Sequence, residues 1–345
     1  MTAGRHGLSL TVRPATRRAK HAERVPTLHA IWHGSTPAIS IALPYDSPKA
    51  ARMAAKQVIL VATDMGESAD EAVRQAHEWA ASTGAHLVAS FVIPQAIREE
   101  SAFPPAYADD AVALLELERR ASELVSDRVS ALTRRGPGEF EVLVDGGRIE
   151  LAIVRTADEM KASLIVVGNR RSSELDRLLL GSISERVVRY ASCSVLVTRR
   201  HRRSDQILAA VDLSDAAPPI VAEAARIAAR RKASLTVLHC LESPDADGEG
   251  GSSPRRRRKI DTEMTDRWTG LFEREGVRGR VDIIDGEPRE ALVRKAEQLD
   301  AELIVVGTRG RAGLERIMFG SVAETVARTA NCPVLAVRQS DNAVS

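Results

Sequence analysis

Near the C-terminal end of the chain, two glycines three residues apart, with an arginine between them, precede a Gly-Ser pair. The sequence reads Gly307-Thr-Arg-Gly310, continues for nine residues and reaches Gly320-Ser321. Because glycine has no Cβ, backbone N–H groups at such positions can approach a phosphate closely. A helix that begins at Gly320-Ser321 would add unpaired N–H donors, a partial positive charge and a serine hydroxyl. The spacing predicts a phosphate-binding loop, although it matches neither a Walker A loop nor Gly-x-Gly-x-x-Gly.

The sequence contains two copies of one structural unit, and the second copy must position this loop. Apolar runs that end in a carboxylate, Gln57 to Asp64 and Gln206 to Asp212, open the two copies and are typical of buried parallel strands. An Ala-rich helix follows each run. From Gly168 and Gly307 onward, equivalent residues are a constant 139 positions apart, which indicates an internal duplication.

The order of elements predicts the fold class. Each copy reads βαβαβαβαβ with uniformly apolar strands, which predicts an α/β protein of two tandem, doubly wound, Rossmann-like domains, each with a mostly parallel five-stranded sheet. Within the second copy, residues 242–259 are rich in Gly, Ser and Pro and end in five cations, and they predict a loop before a helix near Ile260 to Glu275. The cationic run at 199–203 predicts a charged linker between the copies.

These patterns divide the chain into four parts. Residues 1–55 predict a basic, mostly disordered extension, because eight Lys and Arg residues face only two acidic ones for a net charge of +6. We expect the first domain at 56–199, the second at 205–339 and a short tail at 340–345.

Composition excludes several classes of function. The net charge is only +2 and aromatic residues make up 3% of the chain, which disfavours nucleic-acid binding. No apolar run approaches the roughly 18 residues that span a bilayer, so we expect no membrane association. Three widely spaced cysteines form neither a disulfide framework nor a metal site and predict a cytoplasmic location. No Ser-His-Asp order or carboxylate pair indicates catalysis.

The glycine pattern follows the run Leu-Ile-Val-Val and precedes Cys-Pro-Val-Leu, and it lies in a duplicated unit whose first strand ends in Asp. With this combination, residues 57–338 closely resemble the universal stress protein family. The resemblance implies an adenine-nucleotide-binding fold of the adenine nucleotide alpha hydrolase-like type, with ATP as the ligand, with or without Mg²⁺. It implies association through the final strand, as an intrachain pseudo-dimer or a homo-oligomer, and a stress-response role with an unidentified protein partner. It also assigns residues: Gly307, Arg309, Gly310, Gly320 and Ser321 would hold the triphosphate, Thr308 and Val322 would line the loop, and Asp212 would contact the ribose or adenosine.

The first copy departs from this pattern. Asp64, Gly168, Gly181 and Ser182 are retained, but Arg171 stands where the second glycine should be. If that position requires positive φ, its Cβ costs roughly 1–2 kcal/mol. The Arg171 guanidinium could instead reach the phosphates and partly compensate. The sequence leaves nucleotide binding by the first copy open.

Three functions remain open at this stage. The first is a non-enzymatic regulator that signals through its nucleotide-bound conformation. The second is a slow ATPase or phosphoryl-transfer enzyme at the same site. The third is a nucleotide-free dimerisation scaffold, in which the glycines serve only as turns and the aspartates only as helix caps.

Overall fold

A computed structural model of the chain describes residues 57–95, 97, 108–169, 181–200, 203–241, 254–308 and 320–338. The predictions for residues 1–55, Arg171, Arg309, Gly310 and the tail at 340–345 lie outside these residues.

Ten strands form one sheet in the order β3-β2-β1-β4-β5-β10-β9-β6-β7-β8. Their bounds are β1 Val58–Ala62, β2 His86–Pro94, β3 Glu141–Gly147, β4 Leu164–Gly168, β5 Ser194–Thr198, β6 Gln206–Ala210, β7 Ser234–Leu241, β8 Gly279–Asp285, β9 Leu303–Gly307 and β10 Val334–Val337. Pairing is parallel within β1–β5 and within β6–β10. The predicted pair of five-stranded, doubly wound α/β units is confirmed, and the two units share a single sheet.

Antiparallel pairing of β5 with β10 joins the two halves. Val195, Leu196 and Val197 lie opposite Ala336, Leu335 and Val334. Leu196 and Leu335 face each other directly and are each only 1% exposed. The sequence left open whether the final strands pair within one chain or between chains, and in the structure they pair within the chain. The outer edges of the sheet are therefore β3 and β8.

Eight helices are described on the two faces of this sheet. Their bounds are α1 Glu67–Thr83, α2 Ala108–Thr133, α3 Ile149–Glu159, α4 Ser182–Tyr190, α5 Ala217–Arg231, α6 Pro254–Glu275, α7 Pro288–Gln298 and α8 Ser321–Thr329. One apolar core packs α1, α2, α5 and α6 against one face, and a second packs α3, α4, α7 and α8 against the other. Each core runs across the β5–β10 junction. No helix among the described residues is long and apolar enough to cross a membrane.

One loop prediction was wrong. The cationic run from Arg255 to Lys259 forms the first turns of α6, which begins at Pro254. Proline is well tolerated in the first turn of a helix, because its missing N–H would have no partner inside the helix. Arg257 is held there by an ion pair with Asp285, at the end of β8.

The predicted linker also contains a buried side chain. Arg199 is only 5% exposed, and its guanidinium donates hydrogen bonds to the carbonyl oxygens of Ala327, Arg328 and Cys332 in the other half. The Ala327 and Arg328 carbonyls lie in the last turn of α8, where helical carbonyls lack partners and the helix carries partial negative charge. Arg199 therefore caps α8 across the junction instead of lying in solvent.

Other contacts cross the junction on both faces of the sheet. The guanidinium of Arg231 lies 5.2 Å from the centre of the Trp79 ring, between α5 and α1. Arg189 of α4 and Glu324 of α8 form an ion pair with 3.6 Å between their charged atoms.

We expect Arg199→Ala to lower the free energy of unfolding by roughly 2 to 4 kcal/mol, because the α8 carbonyls lose charged donors in a buried position. Chemical denaturation monitored by circular dichroism measures this change. Arg203→Ala is the matched control in the same linker, since Arg203 is exposed and pairs with Glu78 on the surface; it should change stability by less than about 0.5 kcal/mol. Equal effects of the two variants would contradict a capping role for Arg199.

Candidate functional site

The ends of two adjacent strands meet at the predicted phosphate loop. In the second half, β9 and β6 pair in parallel, so Gly307 at the end of β9 lies beside the chain that leads from β6 to Asp212. The strand order reverses at this point of the sheet, since β6 continues to β7 on one side and β9 to β10 on the other. In open α/β sheets this reversal opens a crevice at the carboxyl ends of the strands.

The two described ends of the predicted loop are held together. The backbone N–H of Gly320 donates a hydrogen bond of 3.0 Å to the carbonyl of Thr308. Gly320 is the N-cap of α8 and supplies no capping side chain, and the Ser321 side chain is exposed in the first helical position. The start of α8 therefore offers free N–H donors and a hydroxyl beside the end of β9. Val322 packs against the core behind it.

Asp212 has local partners. Its carboxylate oxygen Oδ1 accepts hydrogen bonds from the backbone N–H and the hydroxyl of Ser214. The preceding carbonyl, that of Val211, lies 3.0 Å from Nδ1 of the buried His239. Because the N-cap of α5 is Ala216, Asp212 is not the cap of this helix. The carboxylate shapes the β6–α5 turn and lies at the edge of the crevice.

The first half repeats this arrangement with different contacts. Asp64 follows β1 and accepts a hydrogen bond of 2.9 Å from the backbone N–H of Gly66, the N-cap of α1. Gly181 and Ser182 begin α4 as Gly320 and Ser321 begin α8.

Gly168 is required for packing in the first half. A Cβ at this position would lie 2.5 Å from the carbonyl oxygen of Ser68 and 3.1 Å from the backbone nitrogen of Ala69. These are backbone atoms in the first turn of α1 and cannot rotate away. The hydroxyl of Ser184 donates a hydrogen bond of 2.7 Å to the Gly168 carbonyl from the opposite side. Close approach of β4 to two helices is therefore one physical reason for glycine here, whatever the loop binds.

Burial keeps the thiols of Cys193 and Cys332 protonated. It raises the pKa of Cys193 to about 11 and that of Cys332 to about 12, because the thiolate would lose its hydration. Neither thiol is therefore an activated nucleophile at neutral pH. Among the described residues, no group of three or more His, Cys, Asp and Glu side chains could hold a metal ion.

Asn169, the residue after Gly168, has no role in the glycine pattern of the sequence. Asn169 is 7% exposed, and neither its amide nitrogen nor its amide oxygen has a hydrogen-bond partner. It lines a cleft in the first half between the start of α1 and the ends of β4 and β5. A comparison of the two copies could have singled it out, because Thr308 occupies the equivalent position 139 residues later.

Comparisons with known proteins agree with the duplicated architecture. The sequence pattern of the universal stress protein family matches residues 56–199 and 204–338. A universal stress protein of Mycobacterium tuberculosis is 33% identical over 202 residues, which cover 56% of this chain and 67% of that protein. One from Mycolicibacterium smegmatis is 29% identical over 290 residues, which cover 81% of this chain and 96% of that protein. The crystal structure of a universal stress protein from Archaeoglobus fulgidus has the same fold, with a TM-score of 0.58 at 21% identity over 83% of this chain and 97% of that one.

The packing role of Gly168 is testable. We expect Gly168→Ala to lower the free energy of unfolding by about 1–3 kcal/mol, because the added methyl group collides with the α1 backbone. Gly270→Ala is the control, since Gly270 lies in α6 with no heavy atom within 4 Å of the added Cβ, and alanine there should stabilise the helix by about 0.5–1 kcal/mol. Thermal and urea denaturation of both variants, without ligand, measure the difference. A stable Gly168→Ala protein would remove the packing explanation.

Proposed function

The chain belongs to the universal stress protein family, and from that premise we propose that its second domain binds an adenine nucleotide, with ATP as the ligand, with or without Mg²⁺. The observation that carries the proposal is the hydrogen bond between Gly320 and Thr308, which brings the start of α8 beside the end of β9. Backbone N–H groups at a helix start, next to a glycine-rich strand end, are a recurrent arrangement for binding phosphate. Gly307, Arg309, Gly310, Gly320, Ser321 and Val322 would surround the phosphates.

Asp212 would bind the sugar end of the same nucleotide. Its carboxylate is an acceptor for ribose hydroxyls, and its present partner is the neighbouring Ser214. The distance across adjacent paired strands, roughly 5 Å, is short enough for one nucleotide to contact both β6 and β9 ends.

The first domain is the weaker candidate for the same ligand. Asp64, Gly168, Gly181 and Ser182 stand at the equivalent positions, while Arg171 replaces a glycine. The contact of Gly168 with α1 accounts for one retained glycine without a nucleotide. We propose that the second domain is the principal site.

We propose that the protein acts as a non-enzymatic, cytoplasmic stress-response regulator. A nucleotide can regulate only by binding one conformation more tightly than another. Helix α8 connects the two regions involved, since Ser321 begins it beside the loop and Arg199 contacts its far end at the junction. A protein partner would bind at the junction between the two domains and would distinguish the nucleotide-bound conformation from the free one.

Calorimetric titration of ATP with Mg²⁺ into the full chain tests the nucleotide proposal. We expect Ser321→Ala to weaken binding about tenfold, equivalent to about 1.4 kcal/mol, through loss of one hydroxyl donor to a charged phosphate. Gly310→Arg, which copies the residue found at position 171, should weaken it further. Ser182→Ala is the matched control, because Ser182 begins α4 as Ser321 begins α8.

The stoichiometry and the control together identify the occupied domain. One nucleotide per chain, with affinity reduced by Ser321→Ala and unchanged by Ser182→Ala, supports a single site in the second domain. If the folded protein did not bind ATP saturably, the nucleotide proposal would be wrong. If the protein released phosphate from ATP at a steady catalytic rate and Ser321→Ala abolished that release, the protein would be an ATPase and not a non-enzymatic regulator.

A further inference from the structure

A second cleft lies in the first half, on the side of β4 that faces β5. Its volume is about 490 Å³, within the range of roughly 300 to 1,000 Å³ found for small-molecule sites. The lining residues come from the start of α1, the end of β4 and the chain after β5: Gly66, Glu67, Ser68, Glu71, Asn169, Thr198, Arg199 and Arg200. We refer to this site as the α1 cleft. It contains none of the residues assigned above to the nucleotide.

Asn169 is the clearest sign that the α1 cleft binds a molecule. Its side chain is more than nine-tenths buried, and both its amide atoms lack hydrogen-bond partners. An unpartnered buried amide costs about 1–3 kcal/mol, so native proteins seldom keep one without a use. The amide offers one donor group and one acceptor at the same place. A fitting ligand would carry a hydrogen-bond acceptor and a donor close together.

The start of α1 supplies the attraction for an anionic group. Gly66 is its N-cap and has no side chain to cap the first N–H groups. The 17-residue helix therefore presents free donors and a partial positive charge at this end. Arg200 adds a guanidinium that pairs with Glu67 at 3.0 Å on the exposed rim. A carboxylate of the ligand fits beside the first turn of α1 and the amide nitrogen of Asn169.

Glu71 supplies the attraction for a cationic group. Its carboxylate accepts a hydrogen bond of 2.8 Å from Gln75 and lies 3.4 Å from Arg74. The other acidic side chain of this turn, Asp70, is committed to Arg128 outside the cleft lining. The guanidinium of Arg199 is committed to the α8 carbonyls. Glu71 and the amide oxygen of Asn169 therefore remain as acceptors for an ammonium group.

We propose that the α1 cleft binds a small zwitterion of the free α-amino acid class. The carboxylate of the ligand lies at the start of α1, its ammonium group lies toward Glu71, and Asn169 contacts both. A zwitterion carries one charge of each sign, which matches the partial positive charge at the start of α1 and the carboxylate of Glu71. A simple anion would meet Glu67 and Glu71, and a simple cation would meet the positive end of the helix.

The second half provides an internal comparison. The strand register makes Ile59 equivalent to Ile207 and Leu164 equivalent to Leu303. By that register, the polar residues Ser68, Glu71, Asn169 and Thr198 correspond to Ala216, Pro219, Thr308 and Val337. The second half therefore lacks the carboxylate of Glu71 and the amide of Asn169. These two groups of the α1 cleft are specific to the first half and do not follow from the shared fold.

Isothermal titration of the full chain with each standard L-α-amino acid at millimolar concentration tests this proposal. We expect at least one to bind saturably, with one molecule per chain. Asn169→Thr, which copies Thr308, and Glu71→Gln should each weaken that binding at least about tenfold. Glu78→Gln is the matched control, because it removes a carboxylate from the same helix outside the cleft. The N-acetyl and carboxamide derivatives of the amino acid should bind at least about tenfold more weakly, since each lacks one charge.

Two results would overturn the proposal. One is that no amino acid binds saturably to the folded protein. The other is that binding persists unchanged in both Asn169→Thr and Glu71→Gln. Titration of the same proteins with ATP and Mg²⁺ keeps this inference separate from the nucleotide proposal: Asn169→Thr should bind nucleotide as the parent does, and failure of nucleotide binding leaves the amino-acid result standing.

Discussion

The antiparallel contact between β5 and β10 is the constraint on which the rest of the structure depends. Each half alone would expose its final strand as an unpaired edge, which tends to pair with other chains. Pairing within the chain places these strands at the centre of a ten-stranded sheet. It also makes each apolar core continuous from one half to the other. The halves should therefore unfold together, because separating them would expose Leu196 and Leu335 to water.

The same contact orients the two candidate sites. The strands β5 and β10 run in opposite directions. The strands of the first half therefore have their carboxyl ends where the strands of the second half have their amino ends. Ligands at the two sites would therefore not collide. Arg199 nevertheless connects them: it is one of the residues that line the α1 cleft, and its guanidinium donates to carbonyls in the last turn of the helix that begins at Ser321.

Under the proposed function, both sites bind a ligand without cleaving it. The polar groups assigned to them are helix N–H donors, an amide, hydroxyls and carboxylates that already accept hydrogen bonds. Such groups discriminate among ligands by charge and hydrogen bonding. The thiols of Cys193 and Cys332 are held neutral by burial, so they add apolar packing. Regulation by ligand occupancy requires only that binding favours one arrangement of α8 and the junction.

The sequence by itself determined the repeated unit, the parallel order of strands within it and the start of α8 at Ser321, because apolar runs and glycine spacing act over a few residues. It did not determine that β5 meets β10 inside the chain, since an edge strand has the same pattern whether its partner is internal or external. It placed Arg255–Lys259 in a loop, because charge alone does not distinguish a solvated loop from a helix held by Arg257 and Asp285. Arg199 and Asn169 acquired their roles only in the tertiary structure. Burial beside α8 makes Arg199 a cap, and burial beside α1 leaves the Asn169 amide without a partner. Burial depends on contacts between segments that are far apart in the sequence, so the sequence pattern does not show it.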